Sequence, residues 1–199
     1  MTPPASQGFG CWGVDEHVWH HQDRRHRGPR ELTGIVDLTC GEEHPTARLL
    51  DLVPGRSGTV YKNWLAERGE DFRSGIQIAT LDPFQGYKNA IDDQLQDATS
   101  VLDAFHIVKL AGDALDEVRR RVQQDTLGHR GRRGSPLSDP QSLRASRDRL
   151  TKRQKERLRE AFVADEAHIS VEVAYLLTQQ VREVFHQATP AHGRHLATR

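Results

Sequence analysis

The sequence has few cysteines and no long apolar segment. Its two cysteines, Cys11 and Cys40, show no C-x-x-C spacing, which argues against a zinc cluster and is typical of a protein in a reducing cytosol. No apolar run approaches the roughly 20 residues of a membrane span, and the first residues lack the basic start and apolar stretch of a signal peptide. These absences predict a cytoplasmic protein that does not interact with membranes.

Apolar residues are also scarce. Hydrophobic residues make up 36% of the 199 positions, aromatic residues 6%, and the mean hydropathy is −0.70. A chain of this length can form one domain, or one domain with an appendage. Its polarity indicates that only part of it builds a substantial core.

The charges are balanced in number but not in position. The chain has 28 basic and 28 acidic residues, yet the segment from Arg119 to Arg159 holds 14 Lys and Arg against 4 acids, a local net charge of +10. Such a segment favours a polyanionic partner such as DNA. A solvated helix face with internal salt links accounts for the charge equally well.

The order of the predicted elements is of the α/β type. Three β-prone segments joined by short Gly- and Pro-containing connections come first, and helices then alternate with two short apolar strands. The predicted strands are Phe9–His20, Leu32–Thr39, Ala47–Val53, Ile76–Leu81 and Ser100–Phe105, and the predicted helices are Gly58–Arg68, Phe84–Gln96 and His106–Gln124.

The remaining third of the chain is basic and predicted to be helical. Residues 129–149 are rich in Gly, Arg and Ser and indicate a flexible linker, whereas 150–164 and 165–187 predict helices. The second of these helices carries Ile169, Val173, Leu176, Leu177, Val181 and Phe185. The predicted organisation is a disordered lead-in (1–8), an α/β part (9–128), the linker (129–149), a helical segment (150–188) and a tail (189–199).

Three aspartates follow predicted strands and are candidate metal ligands. Asp15, Asp82 and Asp103 lie at the ends of the first, fourth and fifth strands, where acids from neighbouring strands can converge. Hard cations such as Mg²⁺ or Mn²⁺ select oxygen ligands. Any single one of these acids is explained as well by a turn or a helix cap, and Pro83 after Asp82 predicts a helix start there. Glu16 is predicted to face the side of the strand opposite Asp15.

Several segments, in order, resemble the insertion-sequence transposases of bacteria whose catalytic domain is of the DDE (Asp-Asp-Glu) type. They are Gly13-Val14-Asp15-Glu16, Asp37-Leu38-Thr39, Pro54-Gly55-Arg56-Ser57, Leu81-Asp82-Pro83-Phe84-Gln85-Gly86-Tyr87 and Val101-Leu102-Asp103-Ala104-Phe105-His106-Ile107-Val108-Lys109. The D-P-F-x-G-Y and D-x-F-H-I-V-K pieces are the most specific.

The resemblance implies a fold and a set of site residues. The α/β part would be a ribonuclease H-like, mixed five-stranded sheet with helices, followed by an all-α insertion. Asp15 and Asp82 would be the first two catalytic acids and would hold Mg²⁺ or Mn²⁺, with Asp103 and His106 in supporting positions, although His106 is more simply a capping or core histidine. The arginines of the basic segment would contact DNA phosphates: Arg119, Arg120, Arg121, Arg130, Arg132 and Arg133.

The third catalytic acid of the family that this chain resembles, a glutamate, has no matching residue in the sequence. The family's glutamate lies in an Asn-Gly-x-x-Glu-like context, but the only asparagines here are Asn63 and Asn89. Glu166, Glu172 and Glu183 are interpreted as solvated acids on a helix. The expectation is a transposase fragment, truncated at both ends and inactive by itself, that acts on transposon ends together with itself or an intact copy. The alternatives are a non-catalytic DNA-binding remnant and an active ribonuclease H-like nuclease.

Overall fold

A computed structural model describes residues 10–18, 30–39, 46–131, 134 and 137–198. The predicted lead-in (1–8), and the candidate DNA contacts Arg132 and Arg133, lie outside these ranges. The chain divides into two compact units, Met1–Asp103 and Ala104–Arg199. We call them the sheet unit and the helical unit. No helix in the described ranges has both the length and the apolar character needed to cross a bilayer.

The sheet unit is built on five strands in the order β3-β2-β1-β4-β5. The first three strands are antiparallel neighbours, whereas β4 runs parallel to both β1 and β5. This arrangement confirms the predicted ribonuclease H-like α/β fold. The strands are β1 (Cys11–Val18), β2 (Glu31–Asp37), β3 (Arg48–Pro54), β4 (Ile78–Leu81) and β5 (Thr99–Leu102).

Three helices complete the sheet unit: α1 (Gly58–Glu67), α2 (Glu70–Ser74) and α3 (Gln85–Gln94). Side chains alternate along β1, so that Trp12 and Val14 enter the core while Asp15 is exposed. Trp12 is completely buried, with its ring 5.5 Å from that of Trp64 and 5.3 Å from that of Phe72. Each of these aromatic rings has a large apolar surface, so packing them together contributes strongly to the core of the unit.

The helical unit contains α4 (Ala104–Leu127), α5 (Pro140–Arg144), α6 (Lys152–Val163), α7 (Ile169–Phe185) and α8 (Pro190–Ala197), with 3₁₀ turns at Arg147–Arg149 and Glu166–His168. Leu115 and Val122 of α4 share one core with Phe162 and Val171. The unit boundary therefore lies at Asp103, whereas the sequence suggested residue 128. The predicted linker contains α5, and its Leu143 is 1% exposed, because this leucine joins the same core.

Helix α7 buries a different side from the one its largest apolar residues occupy. The residues that enter the core are Val171, Tyr175, Thr178 and Gln179. Leu177 is 56% exposed and Ile169 54% exposed. Polar Gln179 is buried because its amide bonds the chain on both sides: its nitrogen donates to the carbonyl of Ala145 and its oxygen accepts from the N–H of Arg147.

Candidate functional site

Two aspartates lie side by side where the parallel pairing of β1 with β4 ends. Val14 of β1 lies opposite Leu81, the last residue of β4, so Asp82 directly follows its strand. Asp15, in contrast with the expectation from the sequence, does not end its strand, because β1 continues to Val18 beside β2, with Asp15 opposite Gly34. A carboxylate oxygen of Asp15 and one of Asp82 lie within 4.8 Å of each other. Asp15 is exposed, whereas Asp82 is only 4% exposed. A cation could bind both carboxylates at this distance.

The turn after β4 holds Asp82 in place. One carboxylate oxygen of Asp82 accepts a hydrogen bond of 2.9 Å from the N–H of Phe84. Helix α3 begins only at Gln85, with Phe84 in the N-cap position and Pro83 in the preceding turn. The predicted helix, Phe84–Gln96, therefore starts one residue too early, and Pro83 is not its first residue. The hydrogen bond from the Phe84 N–H to Asp82 therefore stabilises the turn before α3 and is not a helix cap. It uses one carboxylate oxygen of Asp82, Oδ1.

The D-P-F-x-G-Y motif has a structural explanation at each position. The ring of Phe84 folds back over Gly86, where an added Cβ would lie 2.4 Å from it. The ring of Tyr87 meets that of Phe84 edge-on, with centroids 5.1 Å apart. The hydroxyl of Tyr87 shares a hydrogen bond of 2.9 Å with that of Thr33 in β2. The motif thereby fixes the turn that carries Asp82 to both α3 and the sheet.

The Pro-Gly-Arg-Ser segment (Pro54–Ser57) contacts both β1 and the turn that follows β4. Gly55 has a φ of +99°, a backbone conformation that favours glycine, and it turns the chain out of β3. Ser57 caps α1 by accepting from the N–H of Val60. Between them, Arg56 pairs through its Nε with the carboxylate of Glu16 in β1. The carbon at the centre of its guanidinium lies 4.7 Å from the centroid of the Phe84 ring.

Negative charge accumulates at this edge of the sheet. Burial is the largest cause that raises the pKa of Glu16; the carboxylates of Asp82, Glu31 and Asp15 raise it further, while Arg56 opposes the rise. Burial also raises the pKa of Tyr87, with further contributions from Asp82 and Glu16. These influences place Asp15, Asp82, Glu16 and Arg56 in one electrostatic environment, in which a bound cation would relieve repulsion.

The two supporting candidates lie in different units. Asp103 follows β5 at the end of the sheet unit, and its N–H donates to the carbonyl of Leu81 at 3.0 Å. It is therefore fixed to the strand that precedes Asp82. His106 lies in the first turn of α4, in the helical unit, where its ring meets that of Phe105 edge-on at 5.4 Å.

The basic candidates differ in what they contact. The Arg119 side chain is 7% exposed, and it bonds Asp116, Gln123 and the carbonyl of Leu137. The suggested phosphate contact for Arg119 is therefore replaced by a structural role, because its donors are already used inside the helical unit. Arg120 pairs with Asp116 at 2.7 Å but is 56% exposed. Arg121 and Arg130 are exposed.

Among the described residues, Glu166, Glu172 and Glu183 belong to no group of side chains that could hold a metal. Glu166 and Glu183 are exposed and Glu172 is half-buried on α7. Sequence reasoning missed the part that Glu16 and Arg56 play, because it followed acids at strand ends only. Both residues stood inside segments that had been singled out, but an Arg directly after Pro54-Gly55 gives no sign in the sequence that it pairs with Glu16.

Comparison with known proteins assigns the family. The model of the ISL3 family of DDE transposases, described as "Transposase", matches residues 12–199. The transposase for insertion sequence element IS1001 of Bordetella parapertussis is 25% identical over 185 residues, which is 92% of this chain and 43% of that protein. The transposase for insertion sequence element IS1557 of Mycobacterium tuberculosis is 26% identical over 194 residues, covering 87% of this chain and 40% of that protein.

The chain thus spans less than half the length of these curated relatives, at 43% and 40%. No solved structure matches it. The family match extends over both the sheet unit and the helical unit, and it includes both aspartates of the site. The chain therefore belongs to the ISL3 family of DDE transposases.

Proposed function

We propose that Asp15 and Asp82 form the metal-binding part of a site that cuts and joins DNA strands. The observation that carries this proposal is the approach of the two carboxylates to within 4.8 Å. Asp82 is nearly buried, and Asp15 and Glu16 add negative charge beside it. Two carboxylates of this kind suit Mg²⁺ or Mn²⁺, which take oxygen ligands and keep several waters.

The chemistry would be an in-line displacement at phosphorus. Metal ions bound by Asp15 and Asp82 would activate a water or a 3′-hydroxyl and stabilise the leaving oxygen. The protein's own part is to position these groups: the Phe84 N–H orients Asp82, and the pairing of β1 with β4 sets its separation from Asp15. Asp103 would support the site from the end of β5, and the resemblance gives His106 a supporting role as well.

The DNA would be held mainly through its phosphates. Exposed arginines on α4 and beyond, Arg120, Arg121 and Arg130, together with the basic face of α6, supply positive charge without sequence information. Arg132 and Arg133 would add to it. The proposed partners are transposon ends and a second or intact transposase copy, and such DNA would be met in the bacterial cytoplasm.

Metal binding tests the site directly. We expect the purified chain to bind Mn²⁺, detected by the loss of the free-ion signal in electron paramagnetic resonance, and Asp82→Asn to lower the affinity at least tenfold. Asp92→Asn is the matched control, because Asp92 is an exposed acid that pairs with Lys88 on α3. Equal Mn²⁺ affinity in all three proteins would refute the proposal.

Among the described residues, the group of possible metal ligands that contains Asp15 and Asp82 includes no glutamate as a third acid. We therefore expect no strand-transfer product from the 199-residue chain with Mn²⁺ and transposon-end DNA. Clear product that disappears on Asp82→Asn would instead support an active nuclease or transposase within these residues.

A further inference from the structure

Arg56 is fixed at the same edge of the sheet as the two aspartates, although it is not a ligand type for a metal. Its Nε pairs with Glu16, the residue directly after Asp15. Its guanidinium stacks on Phe84, two residues after Asp82. Arg56 is thus held by one neighbour of each aspartate. The Arg56 side chain is 35% exposed, so part of it reaches the solvent from this position.

The ion pair by itself does not explain this arrangement. Partly exposed pairs of this kind contribute little to stability, commonly about 0–1 kcal/mol. The chain nevertheless carries a glycine at positive φ before Arg56 and a capping serine directly after it. The pair with Glu16 uses the Nε of Arg56. The two terminal nitrogens, Nη1 and Nη2, are a separate pair of donors, and their spacing matches two oxygens of a phosphate.

Two helix N-termini add to the positive potential around Arg56. Helix α1 begins at Gly58 and α3 begins at Gln85. The two starts touch: a Cβ added to Gly58 would lie 2.4 Å from the carbonyl oxygen of Gly86. The N-terminal end of a helix carries a partial positive charge and unpaired N–H groups, which favour anions. A phosphodiester is the anion that metal ions held by Asp15 and Asp82 would bring to this place.

We propose that Arg56, held by Glu16 and Phe84 beside the starts of α1 and α3, is an anchor for a DNA phosphate next to the Asp15–Asp82 pair. Arg56 is a positioning residue: it holds the phosphodiester backbone at the metal site and takes no part in the chemical step. Glu16 serves to aim Arg56 and is not a metal ligand. This inference rests on the proposed function, because it assigns the DNA to the same site.

DNA binding measured against salt tests the anchor. With the full 199-residue chain, a fluorescently labelled DNA duplex and constant Mn²⁺, we expect Arg56→Ala to weaken binding by about tenfold and to lower the slope of log affinity against log salt by about 1. Arg56→Lys keeps the charge, so it should restore the slope and lose only part of the affinity. A purely structural role for the flat, stacked guanidinium would leave the lysine variant as weak as the alanine variant, and that result would overturn the proposal.

Arg68 provides a matched control. It pairs with Asp51 at 3.2 Å and stacks at 4.3 Å on Trp64, so Arg68→Ala removes the same kinds of contact elsewhere in the sheet unit. We expect its salt slope to equal that of the wild type. The same slope in Arg56→Ala and Arg68→Ala would overturn the anchor.

Mn²⁺ binding separates this inference from the proposed function. Arg56→Ala should bind Mn²⁺ at least as tightly as the wild type, because it removes a positive charge near the aspartates. Weaker Mn²⁺ binding would show that Arg56 maintains the acid pair and would overturn the anchor. If the wild type binds no Mn²⁺ but the slope still falls by about 1 in Arg56→Ala, the metal proposal fails and the anchor stands.

Discussion

At the scale of single residues, the contact between Gly58 and Gly86 joins the Pro-Gly-Arg-Ser segment to the D-P-F-x-G-Y motif. A Cβ on Gly58 would meet backbone atoms of Gly86 at 2.4 to 3.0 Å, and backbone cannot swing aside as a flexible side chain can. Gly10 offers a contrast, since a Cβ there would have no atom within 4 Å. The two glycines therefore separate the effect of a close approach from the general effect of replacing glycine.

We expect Gly58→Ala to lower the free energy of unfolding by about 1–3 kcal/mol, the usual cost of forcing an extra carbon into a packed contact. Gly10→Ala should change it by less than about 0.5 kcal/mol. Urea titrations followed by tryptophan fluorescence would measure both, since all three tryptophans lie within the first 103 residues. Similar losses in the two variants would contradict a steric contact at Gly58.

Tyr87 gives the sheet unit a dependence on alkaline pH. Its folded-state pKa is raised above the ordinary value of 10.0, mainly by burial, so the folded protein holds the phenolic proton more tightly than the unfolded chain. The stabilisation is complete below pH 10 and is lost as the pH rises above it. Tyr61 is raised in the same direction, also by burial.

We expect the free energy of unfolding to fall as the pH rises above 10.0, and to fall less steeply in Tyr87→Phe, which cannot ionise. At pH 8 the same variant should be about 1 kcal/mol less stable, because it loses the hydrogen bond to Thr33. Denaturant titrations at each pH, with tyrosinate absorbance as a second signal, would measure both effects. An unchanged pH slope in Tyr87→Phe would exclude Tyr87 as a contributor.

At the scale of elements, helix α7 shows where apolar periodicity misleads. Its exposed residues, Ile169, Val173, Leu176, Leu177 and Phe185, are 41% to 56% accessible and recur at helical spacing. The side that packs includes polar Thr178, whose hydroxyl donates to the carbonyl of Ala111 in α4 at 3.3 Å. The large apolar residues are visible in the sequence, but the hydrogen bonds that allow polar Thr178 and Gln179 to be buried on the opposite side are not.

We expect Leu177→Gln to leave the melting temperature nearly unchanged and to raise solubility, because it removes exposed apolar surface. The matched change Val171→Gln should unfold the helical unit, since Val171 is completely buried and the amide would lack partners. Circular dichroism at 222 nm and the concentration at the onset of light scattering would measure the two outcomes. A large loss of helix in Leu177→Gln would show that this face is packed in solution.

At the scale of the whole molecule, the five strands could be predicted, but the boundary between the two compact units at Asp103 could not. Alternating and short apolar segments marked all five strands, since the pattern of burial in a sheet is local in sequence. The boundary at Asp103 depends on Leu115 and Val122 packing with Phe162 and Val171, and contacts so distant along the chain leave no local pattern.

The site followed the same rule. The closeness of Asp15 and Asp82 follows from the parallel pairing of β1 with β4, although only Asp82 ends its strand, because β1 continues to Val18. The role of Arg56 was not, because it depends on the side chains of Glu16 and Phe84 meeting across three segments. The contacts of Arg119 were not predictable for the complementary reason: its charge is visible in the sequence, but its burial against Asp116 is not.

The touching starts of α1 and α3 also bear on how this family can vary. Gly58 and Gly86 are separated by more than a quarter of the sheet unit in sequence, yet they occupy one contact. A side chain on Gly58 would force the backbones of the two helices apart, whereas one on Gly86 would meet the ring of Phe84 first, at 2.4 Å, and the nitrogen of Gly58 at 3.0 Å. Once Gly58 carries a side chain, one of the two clashes of a side chain on Gly86 is already relieved, so the two changes should cost less together than the sum of each alone. In a collection of relatives, the two sites should change together or stay small together.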